Sequence, residues 1–184
     1  IHSTYSYDGK NTIEEIADWA REELLDFVIL TEHDNDFDRD KFTQFKTDCL
    51  RNSTGLLILP GIEYSFGVDR HIHINVFGVH EFIETDKALQ TIPDFLLKVK
   101  SLGGYSILNH PKNILEEIAK VDLTHLSGIE LWNTKSDFLY APNPGVLNFI
   151  RSRCQSKSIL ATSDIHQIPI KAYAKVLVEA NIDT

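Results

Sequence analysis

In this 184-residue chain, ligand-type side chains (histidine, aspartate and glutamate) recur shortly after the ends of short apolar runs. The pairings are the run 27–30 with His33, the run 56–59 with Glu63, the run 105–108 with His110, and the run 158–161 with Asp164 and His166. Each motif alone could arise by chance, so the evidence lies in their joint occurrence. Imidazole and carboxylate groups without clustered cysteine suit Zn, Mn or Fe in a catalytic site. The pattern therefore predicts a catalytic metal centre.

Two short motifs bring further ligand-type residues to the same face. Asp164 and His166 are two positions apart, as are His71 and His73, and in an extended segment such positions share a face. The chain opens on His2, which would follow a strand further upstream. A cluster this rich can hold more than one ion, and two metals about 3.5–4 Å apart can activate water and stabilise the attacking and leaving oxygens. We therefore expect hydrolytic chemistry.

The apolar runs alternate with helix-like stretches, which indicates an α/β fold. The predicted strands are 27–30, 56–59, 73–77, 105–108, 128–132, 158–161 and 175–178, and the predicted helices lie at 12–20 and near 38–51, 86–101, 112–120 and 143–155. Thr12 and Glu15 are spaced as a capping box for the first helix. This alternation predicts a mostly parallel sheet, open or closed into a barrel, with the site at the carboxyl ends of its strands. Because we find no repeat or linker, residues 1–184 form one predicted domain.

The composition argues against several classes of function. The chain has 18 Lys and Arg against 27 Asp and Glu, a net charge of -9, which disfavours a surface that follows long nucleic acid. No apolar run approaches the roughly 20 residues of a membrane span, and no signal peptide is visible, so we expect a cytoplasmic protein. Cys49 and Cys154 have no partner motif and are expected to be free thiols. Because the first residue is Ile1 and nothing follows the last predicted strand, we expect a chain truncated at both ends.

Seven motifs span the whole chain in a characteristic order. They are His2–Gly9, Thr31–Asn35, Pro60–Glu63, His73–Gly78, Asn109–Pro111, Gly128–Asn133 and Ser163–His166. This ordered set resembles the PHP family, the polymerase and histidinol phosphatase superfamily of metal-dependent phosphoesterases. Within the family, His73–Gly78 and Ile129–Asn133 are most similar to the subgroup that includes carbamate- and ester-cleaving metallohydrolases.

The resemblance implies a distorted (β/α)7 TIM-like barrel of parallel strands, with two or three divalent ions at one mouth. The implied ligand sets are His2, Glu63 and Asp164 for one ion, Glu63, His73 and His110 for a second, and Asp8, His33 and His166 for a third. Glu63 would be the bridging carboxylate.

This chain departs from the family pattern at two positions. The family usually opens with His-x-His, and here Ile1 is the first residue, so the earlier histidine is missing and the first ion would be one ligand short. Glu32 stands where Thr-Asp-His is usual. Because the ligand His33 remains, we expect an adjustment around it and no loss of metal binding.

The expected reaction is hydrolysis of a phosphoester of a small molecule or short nucleotide by metal-activated water. Asp164, His166 and His33 are the candidate catalytic residues, and Asp164 or His166 would assist proton transfer. Arg70 and Glu130 are weaker candidates for contact with the substrate.

Three alternatives stay open. The same site could cleave a carbamate or carboxyl ester, which a scarcity of Arg and Lys near the metals would favour. An amidohydrolase-type barrel ranks lower, because such barrels typically end their pattern in a lone Asp and this chain ends it in Asp-x-His. A catalytically silent PHP domain is the third alternative, against which the nearly complete ligand set argues. The substrate, the native metal and the oligomeric state are not readable from the sequence.

Overall fold

The computed structural model describes residues 1–86, 90–137, 141–169 and 176, and within them the chain is an α/β fold built on one six-stranded sheet. The strands are β1 (Phe27–His33), β2 (Leu57–Phe66), β3 (Ile72–Phe77), β4 (Tyr105–Leu108), β5 (Gly128–Asn133) and β6 (Ser158–Thr162). The helices are α1 (Ile13–Glu22), α2 (Arg39–Arg51), α3 (Ile92–Ser101), α4 (Leu115–Ile118) and α5 (Pro144–Arg153). Six of the predicted strands are confirmed, and the seventh, over 175–178, lies outside the described residues except for position 176.

The strands follow one another across the sheet in chain order, but they do not all run the same way. β1 pairs in parallel with β2, and β4, β5 and β6 pair in parallel, whereas β3 is antiparallel to both β2 and β4. The expectation of parallel strands throughout is therefore wrong for β3. Only residues 67–71 join β2 to β3, and a parallel crossover needs a dozen residues or more. The described sheet is consistent with part of a TIM-like barrel.

The first two residues link the two edges of this sheet. The carbonyl of Ile1 accepts a hydrogen bond from the backbone N–H of Thr31 in β1 at 2.9 Å. The backbone N–H of His2 donates to the carbonyl of Ile165, just beyond β6, also at 2.9 Å. This pairing brings the segments that precede α1 and follow β6 to one side of the molecule.

Helix ends follow local capping chemistry. Thr12 and Glu15 form the predicted capping box at α1, each side chain bonding the other residue's backbone N–H. α3 begins later than predicted, because Thr91 caps it through the backbone N–H of Asp94 and Pro93 lies in its first turn, where a missing N–H costs nothing. α4 is a single turn within the longer stretch that the pattern predicted.

The core lies between the sheet and its helices, where α2, α3 and α5 pack on β2, β4 and β5. Leu30, Phe45 and Leu108 are fully buried there. Cys49 and Cys154 are free and buried, which confirms the expectation of unpaired thiols. Among the described residues, every helix is too short or too polar to cross a bilayer.

Candidate metal centre

The residues predicted from the strand-end pattern meet at one edge of the sheet. His33 is the last residue of β1, His110 comes two positions after β4, and Asp164 and His166 follow β6. Each of these residues therefore lies at a carboxyl end of a strand, as predicted.

Glu63 and His73 reach the same edge by a different route. β2 continues to Phe66, so Glu63 lies inside the strand, directly opposite His33 of β1 and Asn75 of β3. His73 lies at the beginning of β3. Because β3 runs antiparallel, its amino end lies beside the carboxyl ends of its neighbours, which places His73 beside the other ligand-type residues.

Glu63 is the centre of the cluster, and its side chain is almost fully buried. Its Oε2 lies 3.3 Å from Nδ1 of His33 and 3.5 Å from Nε2 of His2. Its Oε1 lies 3.1 Å from Nδ1 of His73 and 3.8 Å from Nε2 of His110. Burial alone would raise the pKa of Glu63, but the hydrogen bonds from His110, His33 and His73 hold that pKa well below its ordinary value. The carboxylate is therefore ionised and shared between two sets of imidazoles.

Two aspartates complete the cluster. Asp8 lies 3.1 Å from Nε2 of His33 and 3.2 Å from Nε2 of His166. Oδ1 of Asp164 lies 3.3 Å from Nε2 of His2. Burial opposes ionisation of Asp164, but the hydrogen bond with His2 and the nearby charges, that of Lys135 among them, together lower the pKa of Asp164.

Among the described residues, two groups of donor atoms are each compact enough to hold a metal ion, with ligand atoms within 4.8 Å of one another. The first donor group is His2, Asp8, His33 and His166, and the second donor group is Glu63, His73 and His110. The second group matches one of the implied ligand sets. Asp164 lies outside both groups and contacts the first through His2.

The histidine hydrogen bonds leave lone pairs directed at carboxylates. Nε2 of His73 lies 3.0 Å from the carbonyl of Arg70 and donates to it, so in the neutral ring Nδ1 presents a lone pair to Glu63. His166 repeats this arrangement, with Nδ1 3.0 Å from a backbone carbonyl and Nε2 facing Asp8. A lone pair and a carboxylate face each other favourably only with a proton or a cation between them. Metal-ligating histidines typically donate their other N–H to a carbonyl in this way, so these residues fit a divalent ion.

Glu32 supports the loop that carries His2. Its buried carboxylate accepts hydrogen bonds from the backbone N–H of Ser3 at 2.9 Å, the Ser3 hydroxyl at 2.6 Å and the Ser6 hydroxyl at 2.5 Å. The Ser6 oxygen in turn accepts from the backbone N–H of His33 at 2.9 Å. Burial raises the pKa of Glu32 despite these donors. The unusual glutamate thus orders the chain around His2 and His33.

Glu130 plays a corresponding part beside His110. Its buried carboxylate accepts from the backbone N–H of His110, the amide of Asn133 and the hydroxyl of Thr162. His110 has a φ of 25°, a sparsely populated conformation for a residue with a side chain, and this bond helps to hold it there. Protein donors therefore surround the oxygens of Glu130, and its contact with substrate stays a prediction.

Arg70, the other predicted substrate contact, pairs with a buried carboxylate. Its Nη2 lies 3.0 Å from Oδ1 of Asp34, while its carbonyl orients His73. The arginine side chain is 39 % exposed. Its contact with a substrate also stays a prediction.

Two residues at the site were missed by the sequence analysis. Nζ of Lys135 lies 3.0 Å from Oδ2 of Asp164, and the ring of Tyr7 stacks on His33 with centroids 5.2 Å apart. Tyr7 lies inside the motif His2–Gly9, next to Asp8, and Lys135 lies two positions after Asn133, where both β5 and the motif Gly128–Asn133 end. That adjacency was the available signal.

Comparisons with known proteins agree with this geometry. The model of the PHP domain family matches residues 1–181. A search of curated proteins found no match.

Solved structures share the fold at low sequence identity. A two-domain protein from Bacteroides vulgatus, described as containing a predicted PHP-like metal-dependent phosphoesterase, aligns with a TM-score of 0.59 and 21% identity over 91% of this chain and 50% of that chain. A candidate metal-dependent phosphoesterase from Bifidobacterium adolescentis aligns with a TM-score of 0.62 and 14% identity over 90% of this chain and 86% of that chain. An amidohydrolase from Chromobacterium violaceum, with bound sulfate and no metal, aligns with a TM-score of 0.61 and 16% identity over 90% of this chain and 85% of that chain. This chain thus spans about half the length of the Bacteroides protein.

Proposed function

The chain belongs to the PHP domain family, and from that premise we propose that it is a metal-dependent hydrolase that cleaves phosphoesters of small molecules or short nucleotides. The observation that carries this proposal is the position of Glu63, whose two oxygens face imidazoles of both donor groups. A buried carboxylate so placed is suited to bridge two cations.

We assign eight ligands to two or three divalent ions of Zn, Mn or Fe. The ligands are His2, Asp8, His33, Glu63, His73, His110, Asp164 and His166. Nδ1 of His2 is buried without a hydrogen-bond partner in the described structure, which also favours an ion near this ring. A bound divalent ion would supply a nucleophile by lowering the pKa of a coordinated water, and it would stabilise charge on the transferring group.

The remaining chemistry belongs to the protein. Oδ1 of Asp164 faces His2 and Oδ2 faces Lys135, so this carboxylate can orient a proton donor on either side. His166 is turned by its bond to the Asp164 carbonyl so that Nε2 faces the site. We assign proton transfer at the reacting atoms to Asp164 or His166, and we keep His33, between Glu63 and Asp8, as a third catalytic candidate.

Cleavage of a carbamate or carboxyl ester is the second candidate. The fold is shared with a protein described as an amidohydrolase, and the same nucleophile attacks a carbonyl carbon. This alternative differs from the first in the atom attacked, carbon in place of phosphorus, and in the charge of the substrate.

The test combines metal content with hydrolysis. We expect the purified chain to bind two or three ions and to hydrolyse an aryl phosphate with added Mn²⁺ or Zn²⁺. His110→Ala and Asp164→Ala should lower kcat/KM by about a hundredfold or more, since each removes a ligand. His80→Ala, which alters an exposed histidine outside both donor groups, is the matched control. Metal binding with hydrolysis of an aryl ester alone would favour the second candidate, and a chain that binds no metal would contradict both.

A further inference from the structure

Lys135 is a cation at the mouth of the site that the proposed ligand set does not use. Its Nζ lies 3.0 Å from Oδ2 of Asp164 and 3.0 Å from Nδ1 of His166. Its side chain is 51% exposed, whereas that of Asp164 is 17% exposed. The ammonium therefore lies on the solvent side of two ligands, where a substrate would approach them.

The turn that carries Lys135 is held by several hydrogen bonds. Oδ1 of Asn133 accepts from the backbone N–H groups of Lys135 at 3.0 Å and Ser136 at 3.1 Å. The ammonium of Lys112 donates to the Ser136 carbonyl, and the Asn133 amide donates to the buried Glu130. Because the backbone is fixed, the ammonium is directed toward the site in advance of binding, which lowers the entropic cost of a contact there.

The contact with Asp164 leaves donors of Lys135 available. Oδ1 of Asp164 faces His2, so Lys135 occupies the other oxygen and does not compete with that contact. Nδ1 of His166 lies 3.0 Å from both the carbonyl of Asp164 and Nζ of Lys135, so this ring engages at most one further N–H of the lysine. An ammonium has three N–H groups, so at least one remains to reach a bound oxygen.

The charge of the assembled site favours an anion at this position. The eight proposed ligands include three carboxylates, those of Asp8, Glu63 and Asp164. Two divalent ions would more than offset them, and Lys135 adds another positive charge. Phosphate oxygens form strong charge-assisted hydrogen bonds with an ammonium, whereas a neutral ester or carbamate offers only a weakly basic carbonyl.

We propose that Lys135 binds an anionic oxygen of the substrate and thereby selects phosphate esters over neutral esters and carbamates. This inference rests on the proposed function for the metal-loaded site, and it names the substrate class that site accepts.

The test compares Lys135→Gln, Lys135→Arg and, as the matched control, Lys100→Gln in α3, next to the amino end of β4 and away from the site. Calorimetry measures binding of inorganic phosphate to the Mn²⁺-loaded chain, and kinetics give KM and kcat for an aryl phosphate and a neutral aryl ester. Lys135→Gln should weaken phosphate binding and raise the KM for the phosphate about tenfold or more, with unchanged metal content. Lys135→Arg should recover part of the loss, and Lys100→Gln should match the wild type.

Several outcomes would overturn the assignment. Equal phosphate affinity in Lys135→Gln and the wild type would do so, and so would loss of bound metal in this variant, which would make Lys135 a support for Asp164. Failure of the proposed function looks different. A wild-type chain that binds phosphate through Lys135 but hydrolyses neither substrate would support the anion site and refute the hydrolase. A chain that hydrolyses only the neutral ester and does not bind phosphate would refute the role of Lys135 and also favour the carbamate or ester hydrolase over the phosphoesterase.

Discussion

The two donor groups arrive at one centre by different structural routes. Glu63, His73 and His110 of the second group come from β2, β3 and the end of β4, which are neighbours in the sheet. In the first group only His33 lies in a strand, and its other members lie in loops near the two ends of the described chain. Strand register positions Glu63 and His73 directly, and His110 follows β4 by two residues. The first group depends on loop packing, which is a less rigid way to hold a ligand.

Each donor group has its own buried glutamate as support. Glu32 binds the Ser3 and Ser6 segment beside His2, and Glu130 binds the backbone of His110. Burial raises the pKa of both carboxylates. The comparison shows that ligands beyond strand ends require a second layer of polar residues, and that this layer is separate for each group.

The largest effect is expected where the two groups meet. Glu63→Ala should weaken metal binding by both donor groups at once, because this one carboxylate contacts imidazoles of both groups. We expect loss of bound metal from both groups and a kcat/KM below about one thousandth of wild type, equivalent to roughly 4 kcal/mol. Elemental analysis and aryl phosphate kinetics measure the two quantities. Glu14→Ala, on the exposed side of α1, is the control, and retention of two tightly bound ions in Glu63→Ala would contradict the bridging assignment.

Substitution of the two supporting glutamates should affect metal binding by the two donor groups separately. Glu32→Ala should weaken the ion of the first group, and Glu130→Ala that of the second, each by about 10–100-fold, as for other residues that orient metal ligands. Each variant should also lose about 3 kcal/mol of stability, because buried donors are left unpaired. Titration with Mn²⁺ and urea unfolding of the metal-free variants give these values. Equal loss of both ions in either variant would show that the two supports are coupled.

The parts of the structure that depend on local pattern were predictable from the sequence. The strand over 105–108 has the predicted bounds, and the capping box of Thr12 and Glu15 forms as spaced. The positions of His33, His110 and Asp164 at the ends of their predicted strands also indicated that these residues lie at one edge of the sheet, because the carboxyl ends of neighbouring parallel strands lie together.

Features that depend on tertiary pairing were not predictable in the same way. The reversal of β3 follows from a short connection, and it places the amino end of this strand, with His73, beside the carboxyl ends of its neighbours. Glu130 was weighed as a substrate contact because alternation along a strand does not reveal what a buried carboxylate binds. Lys135 lies in a turn held by Asn133 of β5 and by Lys112, which follows β4, so its approach to Asp164 has no local signature.

The protonation of the histidines should make the stability of the metal-free chain depend on pH, with a smaller effect than the substitutions above. Burial alone would lower the pKa of His33, but Glu63 and Asp8 raise it to about 9, and Glu63 similarly raises the pKa of His110. Without metal, the stability from the protonated ring of His33 is fully present below about pH 6.5 and is lost as the pH rises through about 9, and His110 acts in the same direction. His2, whose pKa is lowered by burial, acts in the opposite direction and only below about pH 6.5.

The melting temperature of the metal-free chain should therefore fall between about pH 6.5 and 9.5, as measured in EDTA. With saturating Mn²⁺ the fall should disappear, because metal binding displaces the same protons and grows tighter as the pH rises. His33→Gln should reduce the slope in EDTA. A melting temperature that is flat or rising with pH in EDTA would contradict the charged ring at His33.

The smallest effect should come from Tyr7, which touches the first group from outside. Its ring stacks on His33 at an interplanar angle of 26° but is itself 75% exposed. Since stacking contributes about 0.5–1.5 kcal/mol, Tyr7→Ala should weaken the ion of the first group about 2- to 10-fold and leave the second unchanged. Tyr7→Phe keeps the ring and should bind as the wild type does in the same Mn²⁺ titration. Equal weakening in Tyr7→Phe would assign the effect to the hydroxyl. A loss above about a hundredfold in Tyr7→Ala would mean that the Asp8 loop depends on this one ring, which would make the first group less rigid than its contacts with Glu32 imply.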